Sequence, residues 1–172
     1  MPIRWRGGLS RSRARMRSTY SDAADMTAPS PDPRLARTLT YAGTLPLIAC
    51  ALAAWMPLLP GLDVATIAIA YGAVIASFIA GIHWAASLFF AQRCGRLPLV
   101  ASNTIALAAW AGLLLHDPVQ ACLLLTLCFA ALLAVDRRLH AQNVLPTWFY
   151  RLRRNATAIV ISMLLLVALA PR

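Results

Sequence analysis

Five apolar runs, Leu39 to Leu59, Val64 to Ala91, Leu99 to Leu115, Val119 to Val135 and Ala156 to Ala170, alternate with connecting segments that are either rich in Arg or free of it. All 16 basic residues are Arg. Those before run one include Arg34 and Arg37. Arg93 and Arg96 follow run two, and Arg137, Arg138, Arg151, Arg153 and Arg154 separate runs four and five. The turns of opposite parity, Pro60 to Asp63 and His116 to Pro118, carry none, and the terminal Arg172 alone departs from the pattern. Arg is costly to translocate across a bilayer, so basic loops stay on the cytoplasmic side. The alternation predicts an all-α, polytopic integral membrane protein of five transmembrane helices, with its N-terminus cytoplasmic and its C-terminus external.

Composition agrees with lipid as the solvent. Hydrophobic residues make up 60% of the chain and charged residues 13%, outside the usual balance of water-soluble domains. A helix needs about 17 to 25 apolar residues to cross a hydrocarbon core. Runs one to four meet that requirement. Run five is shorter, and its helix is expected to begin near Trp148, with Arg side chains reaching phosphate and aromatic rings at headgroup depth. The net charge of +10 raises nucleic acid as a partner. Because these Arg flank lipid spans, anionic headgroups account for them better, and membrane lipids rather than nucleic acid are the expected partners.

Two parts are expected: a basic, disordered tail over residues 1–38 and a five-helix domain over residues 39–172. The tail is rich in Arg, Ser and Pro and has no acidic residue before Asp22. That composition also describes a mitochondrial transit peptide. The absence of Lys and Glu amid abundant Ala, Leu and Arg favours a bacterial inner membrane instead, with the mitochondrial inner membrane as the alternative. Met16 and Met26 offer alternative starts, so residues 1–25 are expected to be a start-site artefact.

Helix punctuation falls where hairpins need it. Asp63 is placed to cap run two, Asp117-Pro118 to cap and start run four, and Pro98 to start run three. Pro46, inside run one, is expected to kink that helix.

Run two is the least lipid-like helix. Gly72, Ala76 and Ala80 recur every four residues, as do Ala73, Ser77 and Gly81, and such small-residue stripes let neighbouring backbones approach closely. His83 in the same run is the one ionisable side chain well inside a span, and it needs a polar partner. Run three starts from the same side, which brings Ser102 and Asn103 to a similar depth. Asn103 is the expected partner, and His83, Asn103, Ser77 and Ser102 form the candidate intramembrane polar site. His83 acts there as a structural pin or, alternatively, handles a proton or ligand. Asp136 and Arg137 close run four, where the carboxylate is expected to form an exposed cytoplasmic ion pair with His140, Arg151 or Arg153.

No motif carries recognised chemistry. Cys50, Cys94, Cys122 and Cys128 lack metal spacing and read as apolar packing residues, so neither metal nor cofactor is expected. The six Asp are dispersed, which argues against acid-pair hydrolysis and against an enzyme.

Tyr41-Ala42-Gly43 with Leu45-Pro46, Tyr71-Gly72-Ala73-Val74-Ile75 through Ser77-Phe78 to Gly81-Ile82-His83-Trp84, Val135-Asp136-Arg137, and Leu145-Pro146 with Trp148 together resemble a bacterial membrane family of unknown function. Its eukaryotic relatives are called transmembrane protein 69. The resemblance covers about residues 38–170 and implies a five-span protein, mitochondrial in the eukaryotic members, and no catalytic residues. The expected function is a structural, assembly or interaction component within a larger membrane complex or a homo-oligomer. The alternative is a small proton or solute transport protein using His83.

Overall fold

The computed structural model describes residues 32–56 and 61–171. The basic tail up to residue 31, its alternative starts, part of the first turn and Arg172 lie outside the described residues. The chain divides after Ala36, and Arg37 to Arg172 form one compact unit.

Every element among the described residues is helical: α1 (Pro33–Ala42), α2 (Leu45–Trp55), α3 (Val64–Phe89), α4 (Ala91–Cys94), α5 (Leu97–Gly112), α6 (Pro118–Ala141) and α7 (Thr147–Ala168). Three stretches are long and apolar enough to cross a membrane: Pro33–Trp55, Val64–Phe89 and Pro118–Ala141. Leu97–Gly112 is apolar but shorter. These apolar helices mark a membrane protein.

Run one is two helices, not one kinked helix. Pro46 occupies the first turn of α2, where its missing N–H interrupts no helical bond. The break falls earlier, at Gly43 and Thr44. Thr44 donates both its N–H and its hydroxyl to the Tyr41 carbonyl, at 3.0 and 2.8 Å. The Gly43 carbonyl is taken up by the Tyr71 hydroxyl of α3 at 2.8 Å, which satisfies a backbone acceptor at the break.

The other boundaries follow capping chemistry. Asp63 accepts from the Thr66 N–H at 3.0 Å and from the Thr66 hydroxyl. Asp117 accepts from the Val119 N–H at 2.9 Å, with Pro118 opening α6. Gly95, at φ 63°, turns the chain from α4 into α5. Asn143, at φ 56°, turns it out of α6.

The Asp63 cap carries a pH dependence. The Thr66 hydroxyl and then the Thr66 N–H stabilise the carboxylate and hold Asp63 below the usual carboxylate range. A depressed native pKa gives stability that is fully present above the unfolded value, near 4, and lost as pH falls through the native one. Asp63→Ala is therefore expected to cost about 1 kcal/mol at neutral pH. In detergent, thermal unfolding of variant and parent should converge as the pH falls below about 4. A gap that persists unchanged in acid would contradict the carboxylate cap.

The core joins α2, α3, α5, α6 and α7 through small and aliphatic side chains, among them Leu47, Ala73, Ala76, Ala80, Ala109, Leu125, Leu132 and Leu164. A second cluster of Cys94, Val135 and Leu139, with Val144 and Leu145, knits together the end where α3 stops, α5 starts, α6 stops and α7 starts. Exposed Arg93, Arg96, Arg137, Arg138, Arg151 and Arg154 flank that end. At the opposite end, the Trp55 indole N–H donates to the Leu166 carbonyl at 3.0 Å, tying α2 to the end of α7.

Of the two small-residue rows on α3, one faces the core. Gly72, Ala73, Ala76 and Ala80 are buried, whereas Ser77 and Gly81 are exposed. A Cβ added at Gly72 would lie 3.2 Å from a Leu125 methyl and 3.6 Å from a Leu164 methyl, while one added at Gly81 would meet nothing within 4 Å. The helix presents 3.6 residues per turn, so a strict four-residue row drifts around its surface. That drift carries Ser77 and Gly81 off the packing face.

Candidate functional site: a buried His-Asp-Arg cluster

His83, Asp136 and Arg153 meet inside the bundle from three different helices. The His83 Nε2 lies 2.7 Å from Asp136 Oδ1, and Arg153 Nε donates to Asp136 Oδ2 at 3.1 Å. Their side chains are 1%, 2% and 9% exposed. Helix length accounts for the meeting. His83 lies six residues before the end of α3, Asp136 five before the end of α6, and Arg153 six after the start of α7. At 1.5 Å per residue, all three sit about 8–9 Å inside the same end.

The chemistry fixes one proton. As a carboxylate beside the Arg153 guanidinium, Asp136 only accepts hydrogen bonds, and the Nε2 of His83 then donates. Asp136 thus uses one oxygen for each partner, and its charge is opposed by an always-cationic guanidinium. Two other polar atoms at the site are buried without a hydrogen-bond partner: His83 Nδ1 and Arg153 Nη2. Each orphan costs about 1–3 kcal/mol in a site of this burial. Arg153 reaches Asp136 through Nε, while His83 occupies the second carboxylate oxygen.

Asn103 does not partner His83. Its depth is right, six residues into α5, but it is exposed and its amide donates to the Leu99 carbonyl of its own helix at 2.9 Å. Ser102 is buried on the inner face, yet its hydroxyl donates to the same carbonyl, also at 2.9 Å. Ser77 lies outside the core altogether.

Asp136 is 1% exposed, so its ion pair is not a surface one. His140 does not take part. Its Nδ1 donates to the Leu145 carbonyl at 3.0 Å, and its ring stacks on Tyr150 with centroids 4.8 Å apart. Arg137 is exposed. The reason is rotational: α6 continues to Ala141, and Asp136 shares the inward face with Leu132, Val135 and Leu139, all buried. Of the three basic partners considered, Arg153 alone is on the inward face of α7, beside Leu152 and Ala156.

The four cysteines are buried at separate places, Cys50 on α2, Cys94 on α4, and Cys122 and Cys128 on α6. Among the described residues no group of His, Cys, Asp or Glu is arranged to hold a metal ion.

No curated protein and no solved structure matches the chain. The model of the family described as a protein of unknown function, DUF3429, matches residues 32–169, a span that takes in α1 to α7 and the whole His-Asp-Arg cluster, and the chain belongs to that family.

Proposed function

We propose that the chain is a five-span protein of the bacterial inner membrane, with its basic end cytoplasmic, and that it serves as a structural, assembly or interaction component of a larger membrane complex or a homo-oligomer. The observation that carries this reading is the buried cluster, which clasps α3, α6 and α7 through one carboxylate. Charges buried away from water hold their elements in register when each is paired, and removing one partner exposes the cost of the other. Among the described residues the buried polar side chains besides the cluster are Thr44, Ser87, Ser102 and Thr157. Ser87 and Ser102 donate to carbonyls of their own helices, His83 and Leu99, and Thr44 to Tyr41 beside it, so these three do not extend the cluster into a path. The exposed Arg ring suits anionic headgroups on the cytoplasmic side. The resemblance to transmembrane protein 69 supports a mitochondrial inner membrane as the alternative location.

A second reading, movement of a proton or small solute, is favoured by the unpartnered His83 Nδ1 and Arg153 Nη2. Affinity purification of the full chain in mild detergent separates the two. A stoichiometric heteromeric complex is expected under the first, and a lone species whose flux is abolished by His83→Gln under the second. Reporter fusions after residues 95 and 143 should be cytoplasmic, and those after residues 61 and 172 external. A cytoplasmic C-terminal reporter would overturn the five-span reading.

A further inference from the structure

We infer that the His-Asp-Arg cluster is a binding site for a small oxyanion, a carboxylate in its simplest form, that enters together with one proton. Arg153 Nη2 offers a buried donor and His83 Nδ1 a buried position for a hydrogen, and neither has a partner. In the state with Arg153 cationic, Asp136 a carboxylate and a hydrogen on Nε2 of His83 alone, the cluster sums to zero. An anion placed alone on Nη2 would leave a net negative charge in a site whose side chains are 1%, 2% and 9% exposed. A proton placed alone on Nδ1 would leave a net positive charge. Either is costly where the dielectric is low, while the two together keep the site neutral. The anion oxygen accepts from Nη2, the proton goes from solvent to Nδ1, and Nε2 keeps its bond to Asp136 throughout.

No other group nearby can supply the compensating charge. The cluster's own charges come from α6 and α7, and α2 and α5 contain no Asp, Glu, Lys, Arg or His. α4 contributes the exposed Arg93 and the Cys94 thiol, which burial pushes up and keeps neutral. On α6 and α7 the remaining basic residues are exposed Arg137, Arg138, Arg151 and Arg154, and His140, which is held by Leu145. Arg153 is the least enclosed of the three side chains, so the approach lies along it, from the end where the exposed Arg ring would gather anions.

The inference rests on the cluster geometry and not on the assembly role, so failure to recover a larger complex leaves it standing. It is tested with sodium formate and the full chain in detergent, by calorimetry in two buffers of different ionisation enthalpy. One proton should be taken up per formate bound, and affinity should fall about tenfold per pH unit wherever the free imidazole is neutral. His83→Gln, which can still donate to Asp136 but cannot take the proton, should abolish the uptake and weaken binding at least about tenfold. Arg153→Lys, which lacks the second nitrogen, should weaken it without depending on how the Gln variant folds. Formate binding without proton uptake, equal binding by the folded His83→Gln chain, or no saturable binding by the folded parent would each overturn the inference.

Discussion

Asp136→Leu is expected to destabilise the folded chain by about 3–5 kcal/mol, because it leaves the Arg153 guanidinium without its counter-charge and His83 without its acceptor. Both partners are already short of hydrogen bonds in the parent, at Nη2 and Nδ1, so neither has a second acceptor to fall back on. The loss should appear as a lower unfolding temperature in detergent and less protein in the membrane. The combined replacement of His83 by Leu, Asp136 by Leu and Arg153 by Met removes all three polar groups at once. It should restore stability to the parent's level or above it, since apolar side chains of similar volume often replace a buried ionic cluster at no net cost. If Asp136→Leu were as stable as the parent, the cluster would not clasp the helices.

Gly72→Leu is the second large effect expected. The Cβ alone would press on Leu125 at 3.2 Å and Leu164 at 3.6 Å, and the remaining carbons would have to enter the α3, α6 and α7 contact. Overpacking of this kind costs about 1–3 kcal/mol or more. Gly81→Leu, on the same helix, should be tolerated because a Cβ there meets nothing within 4 Å. Thermal unfolding of the two variants side by side checks this, and an equal loss at both positions would show that Gly81 packs against a neighbour.

The contrast between Gly72 and Gly81 also shows what the sequence conveys and what it withholds. Local signals were legible: Asp63, Asp117-Pro118 and Pro98 start helices because capping depends on a few adjacent residues. Small residues in α3 announced a packing helix, but spacing by four left two rows possible, and only the rotation of α3 against α6 and α7 chooses between them. Depth was legible in the same sense. His83, Asn103, Asp136 and Arg153 all lie five or six residues from a helix end on the same side. Depth alone favours Asn103, and its exposed face excludes it.

The missing signal was charge balance across helices. Arg153 sits among Arg151 and Arg154, so a rule about basic loops accounts for all three equally, although two are exposed and one is buried. The apolar run stops at Val135 and so suggests a helix end at Asp136, yet α6 continues for another turn and more. Asp136 is the only acidic residue between Asp117 and the C-terminus, and it stands at the depth of an otherwise isolated His. That coincidence was the available clue.

The central claim is that side chains from α3, α6 and α7 act as one unit, and a double-mutant cycle between His83→Leu and Arg153→Met measures this most directly. His83 and Arg153 bond to opposite oxygens of Asp136 and communicate through it. Substitutions in a shared network couple by about 0.5–3 kcal/mol, whereas independent sites add within about 0.5 kcal/mol. Unfolding free energies of the parent, both single variants and the double variant should give a coupling above about 0.5 kcal/mol, and strict additivity would contradict the clasp.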